Sequence, residues 1–324
     1  MIKIILNRNE DITRFCGNVS ITDNLDSITV ELAFTIVKNP QDRYITSSRP
    51  NPVPGDKIDI IGDTRTLFSG IITEVSLAGE YTALDYGFYL SNNDVIIQFN
   101  KTSCSTAVRQ LCSKAGVPLG SLPGLPGTID GLYIEKTVLE ILQEIIETAT
   151  AAAGKNYFMR VRDGALNIYD YPQTVTFAKH RFEAGNEIDV TYALGSVDGS
   201  DSVTDMRNNI VVVSEDNGTA KVLTTAQNAA AVAKFGQLTK TIKRSSDEEN
   251  PAAKAANTLK ELGNIKTTRS VGDMLGSEAV TAGVLLLFSS DRYGLTGVYL
   301  VKSVTHTFGA AHRMSLELEN AEAV

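Results

Sequence analysis

The side chains best suited to chemistry are few, and their spacing assigns little to them. Histidine occurs three times, at His180, His306 and His312. None stands in the HxH, HxxxH or HExxH spacing that turns two ligands toward one metal. His306 shares a strand face with Val304 and Phe308, the setting of a hydrogen-bonded core or interface histidine. Cysteine also occurs three times, as Cys16, Cys104 and Cys112, with no CxxC pair. The last two fall on the apolar side of an expected helix, where a thiol packs rather than reacts. Cys104 lies near that helix start, the place a thiolate nucleophile would use if a base stood beside it.

Glycine and acidic clusters give no stronger signal. Gly154-Lys155 follows a helix and lacks the upstream glycine of a phosphate loop, so it reads as a helix stop. Gly120, Gly124 and Gly127 lie among prolines, not between a strand and a helix, which excludes the dinucleotide fingerprint. Asp198, Asp201 and Asp205 offer oxygens to a cation, but the EF-hand order is missing and a solvated loop explains them. A hydrolase would need two carboxylates in one cleft, for instance Asp198 with Asp201 or Glu187. No catalytic, cofactor-binding or metal-binding residue is assigned, and a non-enzymatic protein without cofactors is expected.

The totals bound the remaining choices. The 324 residues suffice for two or three cores, and 43% hydrophobic with 21% charged residues is a soluble globular composition. A net charge of −8 argues against a protein held to nucleic acid by phosphate contacts. The odd cysteine count fits a reducing compartment without a disulfide framework. MIKIILNRNE is too short an apolar run for a signal peptide, and no segment approaches a membrane span. Cytoplasmic synthesis without membrane insertion is expected.

The elements that position these residues are organised around an internal echo. Phe68-Ser69-Gly70-Ile71-Ile72 aligns with Leu295-Thr296-Gly297-Val298-Tyr299, and without a gap Ile58, Ile60 and Ile61 then fall over Leu285, Leu287 and Phe288. Each copy reads as a strand, a polar turn and a strand with an interior glycine, which marks a bulge or a sharp bend. Two such copies predict a duplicated β module, one near each end. Ile28, Val30, Leu32, Phe34 and Ile36 alternate cleanly in Ser27–Val37 and predict a half-buried strand. Pro40 to Pro54 predicts a long loop. Between the modules, Thr102 or Ser103 and Thr137 each cap a helix, Pro118–Gly131 reads as a turn-rich linker, and Asp163-Gly164 closes a hairpin. Asn208–Ser214 predicts a strand, with Asp216-Asn217-Gly218 as its turn. Thr225–Phe235 and the segment from Asn250-Pro251 to Gly263 predict helices, and Arg313–Glu319 a final strand.

The fold class expected is therefore mainly β with α+β insertions. The first module spans 1–92, an α+β unit of two helices and a hairpin spans 93–178, and the second module spans 179–324 with a helical insertion at about 217–263.

The order of blocks resembles a known family. PGDKIDIIGDTRTLFSGIITEVS is followed by LDYGFYLSNN, a helical pair, DGALNIYD, DMRNNIVVVS, AVAKFGQLTKTI, and a closing GVYLVKSVTHTF and MSLELE. Nearly the whole chain is similar to the late control protein D family, the central baseplate hubs of contractile phage tails and phage-tail-like bacteriocins (tailocins), in particular the PBSX-type branch. The resemblance implies two tube-type β-barrels per chain and a homotrimer. Such a trimer joins a hexameric tail-tube protein above to a trimeric spike below and touches other baseplate proteins and the tape-measure protein. It implies a structural component of an assembled particle, made in a bacterial cytoplasm. Phe68, Gly70, Ile71, Ile72, Leu295, Gly297, Val298 and Tyr299 are the candidate barrel and ring-contact positions. A tail-tip or tube protein that is not the hub and a cell-wall hydrolase stand as alternatives. Six copies rather than three would mark the former, and lysis of purified cell walls the latter.

Overall fold

Period-two patterning dominates the chain, and the structure, a computed structural model, is correspondingly mainly β. It describes residues 2–37, 49–171, 174–182, 184–216, 219–244 and 250–321. Most of the expected Pro40–Pro54 loop and the Asn217-Gly218 turn lie outside the described residues.

The first part contains β1 (Lys3–Leu6), β2 (Glu10–Asp11), β3 (Cys16–Asn24), β4 (Glu31–Ile36), β5 (Lys57–Ile61), β6 (Thr66–Val75) and β7 (Glu80–Asp85). β4 is the core of the alternating stretch, and its Leu32, Phe34 and Ile36 are buried. They pack with Ile4, Ile58, Ile60, Phe68 and Ile72 in one core.

The middle part has α1 (Gly87–Ser91), β8 (Asp94–Ser103), α2 (Cys104–Ala115), β9 (Thr128–Thr137), α3 (Val138–Ala153), β10 (Tyr157–Arg162) and β11 (Ala165–Asp170). Ser103 caps α2, and Thr137 with Glu140 forms a reciprocal capping box on α3. Asp163 and Gly164 both take positive φ, as a two-residue hairpin turn between Arg162 and Ala165 requires. The α2 and α3 faces, including Leu111, Ile141, Leu142 and Ile145, bury against the β8–β9 ribbon and against β10 and β11.

β8 and β9 depart from the sequence expectation, since the start of β9 had been read as part of a linker. Val95 and Phe99 of β8 and Ile129 and Tyr133 of β9 face the helices. Ile96, Leu132 and Ile134 on the same strands are more than half exposed, so both faces are apolar and the alternation is hidden.

Next come β12 (Lys179–Arg181), β13 (Glu187–Asp189) and β14 (Ser196–Ser202). They are followed by β15 (Asn209–Asp216), β16 (Thr219–Gln227), α4 (Ala229–Phe235), β17 (Thr239–Lys243) and α5 (Pro251–Leu262). The insertion expected to be helical is α/β instead: β16, β15 and β17 form a separate sheet, β15 and β17 are parallel, and α5 packs on it through Ala255. β16 escaped detection because TAKVLTTAQ is largely exposed and carries no apolar alternation.

The chain closes with β18 (Lys266–Leu275), β19 (Leu285–Ser290), β20 (Leu295–Phe308) and β21 (His312–Asn320). Met314, Leu316 and Leu318 of β21 point inward as expected, packing with Val271, Leu286, Phe288 and Val304. Among the described residues one sheet runs in the order β14-β18-β21-β20-β3-β4-β7-β6-β5-β1-β2, with β19 also paired to β20. The bond between the two ends of the chain is the β3–β20 ladder, Asn24 opposite Ser303 through Val19 opposite Phe308.

Candidate functional site

The two echoing stretches both fold as antiparallel hairpins, β5–β6 and β19–β20. Their registers differ from the gapless alignment. Gly70 lies opposite Ile58, whereas Gly297 lies opposite Phe288 rather than Leu285. An extra residue in β6, between the Ile61–Thr66 and Ile60–Phe68 pairs, is one source of the offset.

The candidate contact positions divide by burial. Phe68 and Ile72 sit in the first core, Leu295 and Tyr299 in the second, and Gly70 and Ile71 are buried as well. Gly297 and Val298 are half-buried, and Leu287, opposite Val298, is 50% exposed. The two glycines are needed for different reasons. A Cβ on Gly70 would stand 2.2 Å from the Leu84 carbonyl oxygen, a close approach that only glycine allows. Gly297 has open space around it but a φ of 121°, outside the range of ordinary side chains.

Polar groups from three parts of the chain converge where the sheet halves meet. Asp23, on β3, accepts from Arg160 Nη1 of β10 at 3.0 Å through Oδ1, and from the Ala282 amide at 3.0 Å through Oδ2. Arg160 Nη1 also donates to the Asn24 and Ser27 carbonyls at 2.8 and 3.1 Å. One buried ion pair thus ties the middle part to both sheet halves. Glu278, between β18 and β19, grips the β5–β6 turn: Oε1 accepts from the Asp63 amide at 2.7 Å and Oε2 from the Thr64 hydroxyl at 2.6 Å. Arg65 donates back to the Glu278 carbonyl. Gly62 keeps this contact open, because a Cβ there would lie 2.3 Å from Glu278 Oε1. These groups border a cavity of about 60 Å³ lined also by Asp85, Arg162, Thr281 and His306.

All three histidines gather beside this junction. His306 Nε2 lies 2.9 Å from the Val280 carbonyl, so it carries the proton and Nδ1 is the acceptor. His312 Nε2, 2.9 Å from that Nδ1, must then be its donor. His180 Nδ1 donates to Gly276 O at 2.7 Å, and the Gly276 amide donates to the His312 carbonyl. Burial pushes His306 below its ordinary range, and burial with the neighbouring histidines pushes His312 down to about 3. His306 is the satisfied core histidine that its strand face suggested. Its meeting with His180 and His312 had no signature in the sequence, because it depends on the tertiary pairing. Burial pushes the Asp85 carboxyl up to about 8, against the lowering effect of the Gly87 and Val30 amides.

The remaining candidates do not meet. Glu187 pairs with Lys179 at 3.2 Å and Asp201 with Arg269 at 2.9 Å. Asp198 and Asp201 both lie on edge strand β14, and their odd spacing turns them to opposite faces. Cys104 and Cys112 lie buried in the middle core, and burial raises Cys112 to about 11 and Cys16 to about 12. Such thiols are protonated and unreactive at neutral pH. Among the described residues, no group of three His, Cys, Asp or Glu is placed to hold a metal ion, and no helix is long and apolar enough to cross a membrane.

The fold is shared with solved tail proteins. The 43 kDa tail protein of prophage MuSo2 from Shewanella oneidensis superposes with a TM-score of 0.70 at 12% identity, covering 99% of each chain. A tail protein from Neisseria meningitidis gives 0.64 at 14% identity, covering 99% of this chain and 97% of its own. The E. coli c3393 protein is a component of the type VI secretion system described as structurally similar to the T4 tail proteins gp27 and gp5. It gives 0.51 at 10% identity over 100% of this chain and 75% of its own. No curated protein matches at the sequence level. The YQBQ-like family model matches residues 19–319, and the chain belongs to that family.

Proposed function

We propose that this chain is a structural baseplate protein of a contractile tail or injection particle, and specifically its trimeric hub. The observation that carries the reading is the pairing of two similar hairpins, β5–β6 and β19–β20, each on its own core within one continuous sheet. Two such modules per chain give three chains six similar lateral positions, which matches a hexameric tube above and a trimeric spike below. The whole-length likeness to prophage tail proteins supports the tail role.

In this reading the units 1–92 and 179–324 form tube-type barrels. The unit 93–178 and the insertion face other baseplate proteins. Ring contacts use the outward side of the hairpins, Gly297 and Val298 with Leu287, while Phe68, Gly70, Ile71, Ile72, Leu295 and Tyr299 hold the barrels in shape. The role is structural, without catalysis or specific nucleic-acid binding. Assembly state tests it: a trimer that captures the spike is expected, whereas a hexamer would assign the chain to the tube or tail tip.

A further inference from the structure

Arg160 is the most deeply buried charge of the junction, at 1% exposure, and it is only partly used. Its Nη1 serves Asp23, Asn24 and Ser27, while Nε and Nη2 are buried with no hydrogen-bond partner. The Nε–Nη2 edge of a guanidinium is the fork that fits two oxygens of one oxyanion. Leaving two such donors empty in the interior is costly. Arg160 lines the junction cavity together with Arg65 and Arg162. At about 60 Å³ the cavity has room for roughly four to six water-sized spheres, about the heavy-atom count of phosphate or sulfate.

We propose that the junction cavity is a binding site for one small oxyanion, held in bidentate fashion by Nε and Nη2 of Arg160 with Arg65 and Arg162 beside it. The acidic lining does not compete for this role. Asp23 already accepts from Arg160 and Ala282, and Glu278 from Asp63 and Thr64. Asp85 is largely protonated at neutral pH and can offer a hydroxyl. Burial and the charge of Arg162 both disfavour the cationic forms of Arg65 and Arg160, a strain that an anion relieves. The ligand sits where the middle part and both sheet halves meet, so it would tighten the joint between them.

The test is equilibrium dialysis of the full chain against labelled phosphate and sulfate at constant ionic strength, with acetate as the planar alternative. Thermal melts accompany each condition. One oxyanion per chain is expected, saturable and unaffected by chloride, with a higher melting temperature. A tetrahedral or a planar preference tells phosphate-class from carboxylate-class ligands, and either supports the site. Arg160→Lys keeps a cation beside Asp23, Asn24 and Ser27 but removes the fork, so binding should weaken by about tenfold or more. Arg162→Gln leaves the Arg160–Asp23 pair intact and should weaken binding by a smaller factor, and it decides the matter if Arg160→Lys does not fold. No saturable uptake by the unaltered chain means a cavity filled by water alone and overturns the proposal. Uptake unchanged in the folded variants overturns it equally.

Discussion

Asp23 and Arg160 meet at 3.0 Å with side chains 10% and 2% exposed, far from each other in sequence. Removing one partner strands the other's charge in the interior. Arg160→Leu or Asp23→Ala should each cost about 3–5 kcal/mol, and the two losses should not add. Urea denaturation of the two single variants and the double variant measures this. Additive losses would mean that the pair does not act as one unit.

The grip of Glu278 on the β5–β6 turn makes a second prediction. Glu278→Ala removes acceptors from partly exposed donors and should cost about 1–2 kcal/mol. Gly62→Ala forces a Cβ onto Glu278 Oε1 and should cost a similar amount. In the Glu278→Ala background Gly62→Ala should cost much less, because the clash partner is gone. Denaturation midpoints of the three variants decide the point.

Gly70 and Gly297 occupy matched places in sequence but should respond differently. Gly70→Ala drives a Cβ against the Leu84 backbone, and a loss of about 3 kcal/mol is expected. Gly297→Ala meets no atom and should cost only the positive φ, about 1–2 kcal/mol. Valine at either position should cost more and reduce assembly into particles, which electron microscopy of complemented particles would show.

Two buried groups give opposite pH trends. His306 and His312 have lowered folded values, so the unfolded chain binds more protons below about 6.5, and stability falls as pH drops from there toward about 3. Asp85 has a raised folded value, so the folded chain holds the extra proton between its unfolded value of 3.8 and about 8, and stability falls as pH rises through that window. Asp85→Asn should therefore remove the loss toward pH 8 and leave the acid loss in place. Denaturation midpoints from pH 4 to 9 check both slopes.

What could be read in advance followed from local physics. Leu32, Phe34 and Ile36 alternate, Thr137 and Glu140 make a capping box, and Asp163-Gly164 makes a tight turn, each written in neighbouring residues. β8 and β9 were hidden because Ile96, Leu132 and Ile134 put apolar residues on the open face as well. β16 was hidden because its Thr and Ala side chains carry no pattern. The junction was out of reach for another reason. Asp23, Arg160, Glu278 and His306 become neighbours only through the β3–β20 ladder and the docked β10–β11 hairpin, and no spacing along the chain records that.

The measurement that bears most directly on the hub reading is the solution mass by light scattering over a range of concentrations, alone and with candidate spike protein. One chain is 34.9 kDa. A species of three chains, formed alone or on adding the spike, is the expected result. A species of six chains, or a monomer that stays monomeric with the spike present, would contradict it.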